Sequence, residues 1–178
     1  PRLDNWVLLA SPAALLIWVV LPEAMITGLL LVLVGFANLL RLSRWNGTRC
    51  LQEPLIVVLH LAYGFVPLGY LVLGLSILWP DLLLATSAYH MWTAGAIGMT
   101  TLAVMTRASL GHTGQPLRAG RGTVAIYIAI CASVICRILA GTTDLDSMLL
   151  YALAGVFWCA AFFGFAAAYG PALLRPRP

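Results

Sequence analysis

The stretch from His90 to Pro116, HMWTAGAIGMTTLAVMTRASLGHTGQP, holds two of the three histidines in the chain. It opens as an apolar helix with an imidazole inside it. It closes as a basic, glycine-rich loop bearing a second imidazole, His112. Neutral imidazole is the commonest protein metal ligand. An ionisable group inside a membrane helix is costly, which marks it as a functional-site candidate by default. The third histidine, His60, lies in an earlier apolar run, with Tyr63, Gly64 and Pro67 following at i+3, i+4 and i+7 on one helical face. A glycine one turn from a histidine lets a flat group or a second helix approach closely. Metal ligation and a hydrogen bond across a helix interface stand as equal readings of His60.

Around His90, the residues Ser87, Thr93, Ala94, Ile97 and Thr101 form a thin polar stripe. Hydroxyls beside an imidazole can fix its tautomer. Met91, Gly95, Gly98 and Leu102 form a smoother stripe next to it. That stripe suits close helix packing or the seating of a planar macrocycle against bare backbone. His112 taken alone is a solvated loop histidine. Arg107, Arg118 and Arg121 surround that loop, either as topology anchors or as partners for carboxylates such as haem propionates. Arg137 is set apart, inside an apolar span. Two readings of it are open: it snorkels out to pair with Asp144 or Asp146, or it faces the bundle and holds an anion or a propionate.

The elements that must position these groups are membrane helices. The chain has 178 residues, 62% hydrophobic and only 9% charged, a balance unsuited to a water-soluble domain. Six apolar runs can be marked at about 6–21, 24–41, 54–79, 83–106, 122–141 and 147–170, each near the roughly 20 residues that cross a bilayer. The expected fold is an all-α, polytopic helix bundle with residues 1–178 as one unit. Arg2, Arg41, Arg44, Arg49, Arg107, Arg118, Arg121, Arg175 and Arg177 fall at one set of span ends; Glu23, Asp81, Asp144 and Asp146 fall at the other. The positive-inside rule then puts both termini in the cytoplasm, which agrees with an even number of spans. The arginines lie in short loops and form no basic face, which excludes nucleic acid as a partner. On this topology His60 and His90 enter from opposite sides and differ in depth by roughly 10 Å, so they do not converge on one iron. The four cysteines contain no CxxC pair and read as buried small hydrophobes. Walker, GxGxxG, HExxH, CxxCH and nucleophile-elbow motifs are absent. So is a pair of intramembrane carboxylates, which weakens a proton-coupled transporter reading.

The His90 to Pro116 segment, together with Gln52-Glu53-Pro54-Leu55 through His60, closely resembles the NnrS family of bacterial inner-membrane proteins. The match is strongest across about 52–118. It departs at Gln52, where arginine is expected, and at Gln115, where a basic residue is expected. The resemblance implies a protein that carries b-type haem and copper, acts on nitric oxide or a related nitrogen oxide, and resists nitrosative stress, with turnover left open. It makes His60, His90 and His112 metal-ligand candidates together, without saying which binds which metal. His60, His90, Arg107 and Arg137 are the candidate cofactor contacts. Family members are about twice this length, so the chain is expected to be the C-terminal half of a protein of about twelve spans. The N-terminal half would then complete each metal site. Two other classes compete: a transporter, or half of one, for a small solute, with His90 and Arg137 lining its path, and a structural subunit without cofactor.

Overall fold

A computed structural model describes residues 2–45, 47–81, 85–142 and 145–174. Asp144, Arg175, Arg177 and the first two residues of the span expected at 83–106 lie outside them. The described residues are helical, with no strand among them. The helices are α1 (Arg2–Val20), α2 (Met25–Ser43), α3 (Pro54–Leu78), α4 (Ala85–His90), α5 (Met99–His112), α6 (Arg121–Thr142) and α7 (Ser147–Leu174). A short 3₁₀ turn, Gly47–Cys50, precedes α3. Five of the helices are each long and apolar enough to cross a membrane. The fourth expected span is composite. A π-helical stretch, Met91–Gly98, joins α4 to α5 through αR junctions at His90 and Met99, so the three form one rod. π turns inside α-helices are frequent at functional sites, and this one begins immediately after His90. The molecule is a polytopic membrane helix bundle.

The first turn of α1 and the last turns of α2 share one end. Asp4 pairs with Arg41 at 3.3 Å and faces Arg44 at 3.9 Å. That is the antiparallel hairpin the charge pattern requires. α3 and the rod pack together centrally, α1 and α2 flank α3, and α6 pairs with α7 against the rod. α3 serves two cores. Its first half (Leu55, Val58, Ala62) packs with Met99 and Leu102 of α5, Ile130 of α6 and Phe165 of α7. Its second half (Tyr70, Leu73) packs with Ala14 of α1, Leu31 of α2 and Ala88 of α4. The α2–α3 contact depends on glycine. A Cβ on Gly74 would stand 2.7 Å from the Gly28 carbonyl oxygen, and one on Gly35 would stand 2.7 Å from the Leu71 side chain. Close backbone approach through small residues is how helices associate where lipid removes the hydrophobic drive. α3 runs unbroken through the buried Pro67. At the head of α7, Asp146 Oδ1 accepts the N–H groups of Met148 and Leu149 at 3.0 and 3.1 Å, an N-cap that fixes where this helix starts.

Candidate functional site

His60 stands near the start of α3. Its Nδ1 lies 3.0 Å from the Ile56 carbonyl oxygen one turn back. A carbonyl can only accept, so Nδ1 carries a proton, and in the neutral ring Nε2 is the lone-pair nitrogen. Nε2 is buried and has no partner. Trp45 meets the ring edge-on at 5.7 Å and 83°. Gly47 closes over the ring: a Cβ there would sit 2.8 Å from Cδ2 and 3.2 Å from Nε2. Reaching Nε2 therefore requires the Gly47–Cys50 turn to give way. A cavity of about 540 Å³ opens beside the ring, bordered by Leu42, Gly47, Leu61, Gly64 and Leu68. A Cβ on Gly64 would meet only Leu42, at 3.9 Å, so the space over that glycine is free. Tyr63, expected to share this face, does not line the cavity but packs against Trp45 at 4.5 Å, the same ring that meets His60.

Tyr63 belongs to a polar network that the sequence reading missed. Its hydroxyl donates to Asn38 Oδ1 at 2.7 Å and accepts from Arg41 at 2.9 Å. Asn38 Nδ2 donates to Ser11 at 3.1 Å and to the Val34 carbonyl at 2.9 Å. The Arg41 guanidinium lies over both Trp45, at 5.5 Å, and Tyr63, at 5.4 Å. The chain of contacts runs from Asp4 through Arg41 to Tyr63 and Asn38, with Trp45 held against His60 at its edge. Asn38, within the apolar run at 24–41, was the available signal: polar side chains in lipid-embedded helices face partners.

His90 sits at the last turn of α4 beside a second cavity, of about 550 Å³, between the rod and α7. The expected face is largely present: Thr93, Ala94, Ile97 and Thr101 line that cavity with His90. The hydroxyl expectation needs correcting. Thr93 donates to the Tyr89 carbonyl at 2.7 Å. Ser87 is buried against Gly141, its Oγ without a partner. No hydrogen bond from a described residue holds the His90 ring. The bare backbone of the smooth stripe is already covered, Gly95 by Phe65 and Gly98 by Trp158; of the two uses expected for it, the structure displays packing.

Arg137 faces this same cavity, its guanidinium 5.1 Å from the centre of the Tyr151 ring. Among the described residues it has no ion pair. Asp146 is engaged as the α7 N-cap, and Asp144 lies outside the described residues. Cys159, expected to be buried, is exposed and lines the cavity. His112 ends α5 and is exposed. It borders a third, open cavity of about 410 Å³ together with Arg107. Arg118 and Arg121 are exposed. The three histidines thus occupy three separate cavities, in line with the expectation that His60 and His90 do not meet on one iron. Among the described residues no three His, Cys, Asp or Glu side chains gather closely enough to hold a metal ion.

The family model described as NnrS protein matches residues 1–177. The chain belongs to the NnrS family. No curated protein and no solved structure matches it.

The groups implied by NnrS membership can be tested against these donors. Haem asks a protein for one or two axial ligands, because the macrocycle supplies the rest. His60 fits one such ligand, with a bare, unpartnered Nε2 and free space over Gly64. The His90 cavity of this NnrS chain also fits, with an imidazole, an arginine that has no ion pair among the described residues and could meet carboxylates, and aromatic walls from Trp158 and Phe162. A protein-bound copper ion asks for several donors at once, more than the described residues bring together at any one cavity.

Proposed function

We propose that this chain is a haem-bearing, and with further donors copper-bearing, protein of the bacterial inner membrane that binds nitric oxide or a related nitrogen oxide and protects against nitrosative stress. The observation that carries the reading is the buried, unpartnered Nε2 of His60. A buried polar atom normally has a partner, and a neutral imidazole that donates through Nδ1 offers Nε2 as a ligand once the Gly47–Cys50 turn gives way. Family membership supports the nitric oxide assignment. His60 and His90 would hold haem iron, Arg137 and Arg107 would meet its carboxylates, and His112 would be a further metal ligand toward donors outside this set. When bound, haem iron with one open position supplies a site that binds nitric oxide, and the surrounding pocket selects among sensing, detoxification and electron transfer. The residues of this chain orient that group, exclude water from it with an apolar wall, and neutralise its carboxylates.

The test is the visible spectrum and metal content of the protein purified in detergent. A Soret band is expected, reduced in His60→Ala and in His90→Ala and retained in Cys50→Ala. A colourless, metal-free protein overturns the reading. If that protein moved a solute, it would turn attention to a transport path past His90 and Arg137.

A further inference from the structure

The π-helical stretch Met91–Gly98 touches a wall residue of each of the two larger cavities. From α3, Phe65 borders the His60 cavity and covers Gly95, where a Cβ would stand 2.5 Å from the Phe65 ring. From α7, Trp158 borders the His90 cavity and covers Gly98, where a Cβ would stand 2.7 Å from the Trp158 ring. A further contact runs the other way. Trp92 of the stretch lies so close on Gly69 of α3 that no Cβ fits there, and its Nε1 donates to the Val66 carbonyl at 3.0 Å. Gly95 and Gly98 are three residues apart, neighbours on the helix surface. Rings packed this closely on bare backbone cannot shift alone, and a close-packed interior passes a displacement on. The backbone that receives it is the part of the rod able to adjust. A π turn carries a surplus residue relative to an α turn. That surplus can sit one turn earlier or later with α-helix on either side, which gives the stretch alternative registers that a plain α-helix lacks.

We propose that the π stretch couples the His60 and His90 cavities, so that a ligand filling one changes the fit of a ligand in the other. The inference rests on the proposed ligand binding at both histidines and adds its regulation. A group seated beside His60 meets the Phe65 wall. Phe65 has no room to yield toward Gly95, so the stretch takes up the movement and carries Gly98 against Trp158, the wall of the second cavity. Coupling between sites is reciprocal, so a ligand beside His90 acts on the His60 cavity by the same route. The element both cavities bias is the register of the stretch, and a bistable packed segment of this kind turns a small shift into a discrete one.

The test fills each cavity with a side chain and needs no cofactor. The chain is labelled with 5-fluorotryptophan in detergent without added haem, and the fluorine signals are assigned by Trp92→Phe and Trp158→Phe. Gly64→Leu places a side chain in the His60 cavity, where a Cβ meets only Leu42, at 3.9 Å. It is expected to move the Trp158 signal by more than its linewidth, with the signal of the exposed Trp6 unmoved as a reference. In a Phe65→Ala background the same substitution should no longer move Trp158. The reciprocal arm places a side chain in the His90 cavity by Gly155→Leu, whose Cβ meets nothing within 4 Å, and should move the Trp92 signal. That arm carries the test if Gly64→Leu fails to fold. A Trp158 signal indifferent to Gly64→Leu, or one that moves equally without the Phe65 ring, overturns the proposal. A Trp92 signal indifferent to Gly155→Leu overturns it too. Failure of the haem reading would show separately, as a missing Soret band, and would leave these cofactor-free shifts as they are.

Discussion

The two histidine regions of this bundle are built in opposite ways. The His60 side is closed and cross-linked: three helices exchange hydrogen bonds through Asn38, Tyr63 and Arg41, an ion pair ties Arg41 to Asp4, and Trp45 and Gly47 cover the imidazole. The His90 side is open and sparse. Its ring has no hydrogen bond from a described residue, its arginine lies over one aromatic ring, and Thr93, Ile97 and Gly155 on its border are exposed. Packing density and polar satisfaction hold a ligand at a fixed orientation. Open volume admits a molecule that must come and go. The contrast sets a cross-linked region around α1–α3 against an open one between the rod and α7.

The contrast predicts unequal tolerance to substitution, measured by denaturant or heat unfolding in detergent. Gly74→Val is the most damaging change expected. Its Cβ would meet the backbone of Gly28 and Val32, which cannot move aside as a flexible side chain would, and overpacking of this kind costs about 3 kcal/mol or more. Asn38→Ala comes next, at about 1–3 kcal/mol, because the Tyr63 hydroxyl and the Ser11 side chain lose buried partners. Arg137→Gln should cost about 1 kcal/mol or less, the scale of one cation–π contact. Gly155→Ala should change stability by less than about 0.5 kcal/mol, as at an unconstrained surface position. An Asn38→Ala variant no less stable than Arg137→Gln would dissolve the distinction between the two regions. A Gly155→Ala variant as unstable as Gly74→Val would show that this border of the His90 cavity is packed.

Much of the scaffold was legible before any coordinates. The apolar runs near 24–41 and 54–79 became α2 and α3 with ends displaced by one or two residues, because burying backbone polar groups in lipid leaves a helix no alternative. Thr93, Ala94, Ile97 and Thr101 were placed on the face of His90 by helical spacing alone, and all four line its cavity. Ser87, placed on the same stripe, instead packs against Gly141, since the wider turn after His90 and the neighbouring helix set which part of a stripe meets open space. The partner of Arg137 was undecided between Asp144, Asp146 and the bundle, and Asp144 lies outside the described residues. The structure spends Asp146 on capping α7, a contact between near neighbours that forms whatever the rest of the fold does. Tyr63 was assigned to the His60 face, where it shares Trp45 with His60, but its hydroxyl bonds to Asn38 and Arg41 of α2 were not legible from spacing.

The sequence by itself determined that this chain crosses a membrane several times, which ends carry the arginines, and which three imidazoles are available. Those follow from length, hydropathy and charge along one dimension, each enforced by the cost of polar groups in lipid. Only the tertiary structure decided that the imidazoles occupy separate cavities, that one is covered by Trp45 and Gly47, and that another borders an open cavity between the rod and α7. These depend on the rotation and approach of each helix against its neighbours. Such quantities are set by side chains far apart in the sequence, and local periodicity does not encode them.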